Sequence, residues 1–199
     1  MSFLYSRGTD TYDNAPTQLA VNSFSDFAKA VANDKSPYKG LTYICSALSE
    51  GVHYEKPTEN KGINHWRLKN YALSRRFLAF DFDGFESPEV FQQLCAFLQR
   101  YNCLIYTTAS HTTNAPRARA LIDLNREVSP AEGETLGQAA QIHIESIIGI
   151  GKIKFDASVY RATQPIYTPV TTSIIIHHEG VQLDVDATLN SYSHITNSK

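Results

Sequence analysis

Apolar residues recur along this chain with two periods, one helical and one of strands. In TQLAVNSFSDFAKAVAN (17–33), Leu19, Phe24, Phe27, Ala28 and Val31 fall at helical spacing, which predicts a helix over that span. GLTYICSAL (40–48) reads as a strand. A polar excursion covers 50–65, and WRLKNYALSRRFLAFDFD then climbs back into sheet. Ser87-Pro88 supplies an N-cap and a proline for the first helical position. Val90, Phe91, Leu94, Cys95, Leu98 and Tyr101 form one apolar face, so a helix is predicted over 88–101. CLIYTTAS (103–110) and RARALIDL (117–124) are predicted strands joined by HTTNAP. Ser129-Pro130-Ala131-Glu132 has capping-box spacing. It opens a helix carrying Leu136, Ala139, Ala140, Ile144 and Ile147, which Gly149 and Gly151 end. Residues 152–172 read as irregular, and SIIIHHEG and VQLDVDATL as a late hairpin or a strand with a loop. Residues 1–16 are polar and turn-rich, a loosely held lead-in.

From residue 75 the order strand, helix, strand, strand, helix predicts an α+β fold. Its sheet should be mainly antiparallel, because the link between 103–110 and 117–124 is too short for a crossover helix. A division near Ser74 would separate an N-terminal helix-and-strand subdomain (1–74) from a core (75–189), with a flexible tail over 190–199.

Composition narrows the field. At 199 residues, 42% hydrophobic and 19% charged, the chain can bury a substantial core. Its net charge of −2 is not that of a protein coated in nucleic acid, although a local basic groove fits it. No apolar run reaches membrane-spanning length, and MSFLYSRGTD lacks a signal-peptide core. Cys45, Cys95 and Cys103 have neither CxxC spacing nor an even count, which suggests reduced thiols, a cytoplasmic setting and no structural zinc.

Three stretches carry candidate chemistry. In RFLAFDFDGF (76–85) an apolar strand ends in Asp81 and Asp83, which strand alternation places on one face. Two carboxylates that close repel unless a cation sits between them. A divalent metal, a phosphoryl nucleophile with its acid partner, and a solvated strand end all fit that pattern. In YTTASHTTNAPRARALIDL (106–124) a strand ends at Ser110-His111, and the next opens with Arg117 and Arg119 on one face. Guanidinium groups match phosphate oxygens in pairs, so this mouth could cradle a triphosphate; arginines kept for solubility are the plainer account. In KFDASVYRATQPIYTPV (154–170), Asp156 could complete an acidic metal site or simply cap a turn with Ser158. Tyr167 stays open between stacking on a nucleotide and packing in the core. Trp66 beside Arg67 and Lys69 could hold a base or pack a sheet edge. Asp184 and Asp186 are read as structural, at the end of a late strand, and His177-His178 as packing or solvated residues on alternating faces.

Taken in this order, the stretches resemble the primase-polymerase catalytic domain of the archaeo-eukaryotic primase superfamily, especially the replication primases of plasmids and phages. FDFDG resembles the first motif of that family, TASH the second, and FDAS the third. The resemblance covers 75–189. It implies an RRM-like antiparallel catalytic sheet and primer synthesis, with extension, on single-stranded DNA template from NTP or dNTP. It further implies Mg²⁺ or Mn²⁺ held by Asp81, Asp83 and Asp156, and incoming phosphates bound by Ser110, His111, Arg117 and Arg119. A replicative helicase or further domains of a larger replication protein would be partners. Ala109 stands where many relatives have a second histidine, and Asp123 where proline is frequent. The rival readings are a haloacid-dehalogenase-like phosphatase with Asp81 as nucleophile, although Phe85 occupies the place of the usual threonine, and a non-catalytic nucleic-acid-binding module.

Overall fold

The computed structural model describes residues 3–54 and 62–197. Two antiparallel sheets organise them. The strands and helices are β1 (Phe3–Gly8), β2 (Thr17–Val21), α1 (Phe24–Asn33), β3 (Tyr43–Ser46), β4 (Arg75–Phe85), α2 (Pro88–Leu98), β5 (Cys103–Thr107), β6 (Ala118–Val128), α3 (Pro130–Ile148), β7 (Ile153–Phe155), β8 (Ile166–Tyr167), β9 (Ile175–His178) and α4 (Val185–Asn197). Short 3₁₀ turns occupy Lys69–Tyr71 and Ala157–Tyr160. The first sheet runs β2-β1-β3-β8 and the second β7-β4-β6-β5-β9, with every strand pair antiparallel. The α+β class with an antiparallel sheet is therefore as the sequence predicts. Among the described residues there is no doubly wound parallel sheet of the kind the phosphatase reading needs.

β4 is the spine of the second sheet, and it is apolar on both faces because both are covered. On one face Phe80 meets Tyr160, with ring centroids 5.8 Å apart, beneath α3. On the other, Phe77 meets Phe27 of α1 at 4.9 Å and Phe3 of β1 at 6.2 Å. Near its end β4 gains one residue against β7: Phe82 pairs with Phe155 but Gly84 with Lys154. Asp83 sits in this bulge. Phe82 and Phe85 accordingly share a face, their rings 5.8 Å apart, which regular alternation would forbid.

Three elements differ from their sequence reading. Residues 3–8 are not a loose lead-in but the strand β1, because Phe3 and Tyr5 alternate into the core. The helix predicted over 17–33 is split. Thr17–Val21 pairs with β1, and the helix starts only after Ser23, whose Oγ accepts from the Asp26 N–H at 3.1 Å. VQLDVDATL is not a late strand: Asp184 Oδ1 accepts from Ala187 N–H at 3.0 Å and opens α4. The β5–β6 pair is shifted as well, β5 ending at Thr107 and β6 continuing to Val128. α3 follows its prediction, capped by Ser129 and ended by Gly149 and Gly151, both at positive φ. All three cysteines are unbonded, and burial pushes Cys45 and Cys103 up to about 12 and Cys95 to about 11. Among the described residues no helix is long and apolar enough to cross a membrane.

One close approach fixes α3 on the segment after β7. A Cβ at Gly137 would lie 2.4 Å from Cγ of Tyr160, whose hydroxyl donates to Gln141 Oε1 at 2.9 Å. Helix propensity alone favours alanine over glycine by about 1 kcal/mol. Gly137→Ala should nevertheless lose about 1–2 kcal/mol in urea unfolding, because overpacking a filled site outweighs propensity. A gain in stability would show that this packing is looser than described.

Candidate active site

The acids of β4 stand at the end of a row that crosses the sheet. Asp81 pairs in register with Arg119 of β6, and Arg119 with Tyr106 of β5. Cross-strand partners share a face, here the face turned toward the first sheet. Asp81 is 9% exposed. Arg119 donates to its Oδ2 twice, from Nε at 2.9 Å and Nη2 at 2.7 Å. Arg119 Nη1 and the Tyr106 hydroxyl both donate to the Tyr167 carbonyl on β8, at 3.3 and 2.9 Å. The row thus joins the two sheets.

Asp156 arrives from the other side. Its backbone N–H donates to the Asp81 carbonyl at 2.9 Å, one residue beyond β7. Its Oδ1 accepts from the Ser158 N–H at 2.9 Å and caps the 3₁₀ turn Ala157–Tyr160. The turn-capping role and the placement beside Asp81 thus hold together. Burial pushes the Asp81 carboxyl above the ordinary aspartate range. Arg119 pulls it down, and the charges of Asp83 and Asp156 push it up again. Asp81 therefore lies close enough to Asp83 and Asp156 to feel both charges.

Carboxylate oxygens are the donors that hard divalent cations take. Both Arg119 contacts fall on Oδ2 of Asp81, which leaves Oδ1 to another partner. The donor chemistry fits such an ion, but the arrangement does not yet gather it. Among the described residues no group of three or more His, Cys, Asp or Glu side chains is assembled to hold a metal. The counter-charge in place is Arg119.

The loop between β5 and β6 carries the second set. Ser110 is exposed in a turn, and His111 is half-buried, its ring 6.0 Å from that of Phe91 on α2. His111 Nδ1 accepts from the Arg117 backbone N–H at 3.2 Å. A neutral imidazole accepting at Nδ1 carries its proton on Nε2, which is then a donor. Arg117 is exposed at the mouth of this loop. Arg117 and Arg119 differ in setting, because Arg119 is buried against Asp81.

Two contributors escaped the sequence reading. Tyr106 looked like plain strand core, and only its register with Arg119 shows its role. Arg75 is fully buried and donates to the Tyr160 and Val159 carbonyls at 2.9 and 3.5 Å, clamping the end of the turn that Asp156 begins. Burial pulls its guanidinium down to about 10. Tyr167, left open before, lies between Arg119 and Lys39, their cationic centres 5.6 and 5.4 Å from its ring centroid. Asp186 pairs with Arg126 at 2.6 Å, Asp184 caps α4, and Asp123 accepts from Asn102 and Gln182 at 3.0 and 3.1 Å. All three carboxylates are engaged in contacts within the fold. Trp66 packs edge-on to His53 at 5.3 Å. His177 and His178 lie on β9 across from Leu104 and Cys103.

The family model for the VapE N-terminal domain matches residues 62–199. No curated protein matches the chain. Among solved structures the chain is similar to the AEP domain of the primase-polymerase (PrimPol) of cyanophage S-2L. The TM-score is 0.49 and the identity 10%, over 94% of this chain and 88% of that one.

A carboxyl raised by burial binds its proton more readily folded than unfolded. Its contribution to stability therefore falls as pH rises past the ordinary aspartate range. Arg119→Met removes the counter-charge and should widen that effect. At neutral pH the loss should be about 3–5 kcal/mol, the cost of stranding a buried charge. At mildly acidic pH, where Asp81 takes up its proton, the loss should shrink. Urea unfolding at both pH values measures this, and an equal loss at both would refute it.

Proposed function

Since the chain belongs to the VapE N-terminal domain family, whose matched span holds every candidate site residue, we propose that it is a replication primase domain of plasmid or phage type. The reaction is template-directed nucleotidyl transfer: a primer 3′-hydroxyl attacks the α-phosphate of an NTP or dNTP and releases pyrophosphate. The observation that carries this reading is the meeting of Asp156 with Asp81 across β4 and β7, with Asp83 beside them. Acids from two separate parts of the chain at one apolar strand end are costly unless a cation serves them.

In this reading Asp81, Asp83 and Asp156 hold Mg²⁺ or Mn²⁺. A bound divalent ion supplies a lowered pKa for the attacking hydroxyl and neutralises charge on the leaving pyrophosphate. The protein does the rest by positioning and electrostatics, with no nucleophile of its own. Arg119 orients Asp81 and limits acid repulsion rather than touching phosphate. His111, through its Nε2 proton, together with Arg117 and Ser110, receives the triphosphate at the mouth of the β5–β6 loop. Single-stranded DNA is the template, and a replicative helicase or further domains would work beside this one.

Incubating the chain with labelled NTPs or dNTPs, Mg²⁺ or Mn²⁺ and single-stranded template tests the reading. Product should form, and should vanish in Asp83→Ala and Asp156→Ala while both variants stay folded by circular dichroism. Product that persists in either variant would refute the metal role. His111→Ala should raise KM for the nucleotide about 10- to 100-fold, as expected for one lost hydrogen bond to a charged group.

A further inference from the structure

The second sheet ends in β9, and the outer side of that strand is bare. The Thr107 N–H donates to the Ile174 carbonyl at 3.0 Å. Ile105 faces Ile176 and Cys103 faces His178, so alternation turns the N–H and C=O of Ile176 and His178 toward β5. Those of Ile175 and His177 point the other way, and among the described residues no strand or side chain bonds them. Sheet edges are ordinarily blunted by charge, proline or shortness. β7, at the opposite end of this sheet, is three residues long and carries Lys154. From Thr171 to His178 the chain reads TTSIIIHH, without Lys, Arg, Asp, Glu or Pro. Ile174 is 56% exposed. The Nε2 atoms of His177 and His178 are enclosed without a hydrogen-bond partner, so neither ring offers the edge a substitute bond.

The pattern of the strand complements itself. Laid antiparallel against a copy of itself about a two-fold axis at Ile176, Ile175 meets the second copy's His177 in a hydrogen-bonded pair, and His177 meets its Ile175 likewise. Every outward N–H and C=O of both strands is then used. Ile176 faces itself across the axis and Ile174 faces His178, so uncharged side chains meet on both sides of the sheet. The surrounding charges favour the same direction. Lys35 adjoins Ser36, whose carbonyl accepts from the Thr171 N–H at 2.9 Å, and so stands at the start of the strand. Glu179 follows its end. Both are exposed, and neither has an ion pair among the described residues. Asp34, beside Lys35, is held by Arg7, and Arg100, whose carbonyl accepts from the Val181 N–H, lies over the ring of Phe97. Antiparallel pairing brings each acid toward the other copy's lysine, whereas parallel pairing would set like charges together.

We propose that β9 is a self-association edge, through which two copies of this chain pair antiparallel and join their five-stranded sheets. So short a strand pair buries less than the roughly 1,200 Å² at the foot of stable interfaces, so the dimer is weak and depends on concentration. Ile175 stands in the cross-sheet row of Asp81, Arg119 and Tyr106. Strand spacings of about 4.8 Å then put the two acidic sites on one side of the joined sheet, roughly 30–35 Å apart. The pairing does not rest on the polymerising reading.

Sedimentation of the full chain over a concentration series tests this, and dimer should grow in as the concentration rises to about 1 mM, the weak end of specific affinities. Ile174→Lys, at an exposed position, should weaken association about tenfold or more, as an edge charge does. Ile175→Pro removes an N–H that points away from β5, so it should abolish association and leave the fold intact by thermal melting. Glu179→Lys should weaken the dimer about two- to fivefold, and adding Lys35→Glu should restore it. Cross-linking reads the register. Ile176→Cys places two thiols on Cα atoms about 4.5 Å apart across the axis, within disulfide range, and mild oxidation should give covalent dimer. Ile174→Cys, far from its own copy in this register, should give none beyond the unaltered chain. A chain that stays monomeric at about 1 mM overturns the proposal and leaves the edge to a foreign strand. Undiminished association in Ile174→Lys, or equal cross-linking at both cysteines, overturns it as well.

Discussion

A carboxylate cannot lie at the end of a buried strand without a counter-charge, and Arg119 meets that need for Asp81. Desolvation raises the energy of the ionised acid, while two charge-assisted hydrogen bonds to one oxygen recover part of it. The recovery is incomplete, because the carboxyl stays above its ordinary pKa range with two further acids beside it. The site is thus held in a state that welcomes more positive charge. The rest of the structure can be read as scaffolding for that condition: β6 brings the arginine, β8 accepts its spare N–H, and Tyr106 steadies the same carbonyl.

The segment after β7 is fixed with equal care. Asp156 is bonded through its N–H to the strand that carries Asp81, and the turn it caps is gripped at its far end by Arg75 from the start of that strand. Gly137 lets α3 close over Tyr160 in the same turn. A buried arginine that spends its donors on backbone carbonyls is an expensive way to set one turn. It makes sense where the position of the turn's first residue matters.

Much of this was legible in the residues. The apolar run into Asp81 and Asp83, the helix start at Pro88, the cap at Ser129 and the α+β order from residue 75 all follow from local pattern, although Ser87 makes no side-chain cap bond. The different settings of Arg117 and Arg119 did not, because alternation gives a shared face but not which guanidinium meets a buried acid across the sheet. The bulge at Asp83 is marked only by Gly84, an isolated glycine inside a strand pattern, while Phe82 and Phe85 look like ordinary strand residues. Nor did β1 show itself: Phe3 and Tyr5 are two apolar residues in a polar stretch, and their value comes from Phe27 and Phe77 far along the chain. VQLDVDATL alternates like a strand, and the cap at Asp184 overrides the alternation.

The two-residue strand β8 has a consequence for how the protein is made. It borders β3, yet more than a hundred positions of chain separate them. On a ribosome, β1 to β3 emerge early and must wait with an open edge, a posture that invites wrong partners. Only when Ile166 and Tyr167 appear is that edge covered, and the same two residues bring the carbonyl on which Arg119 and Tyr106 converge. Completion of the first sheet and arming of the acidic site are one late event in the birth of the molecule.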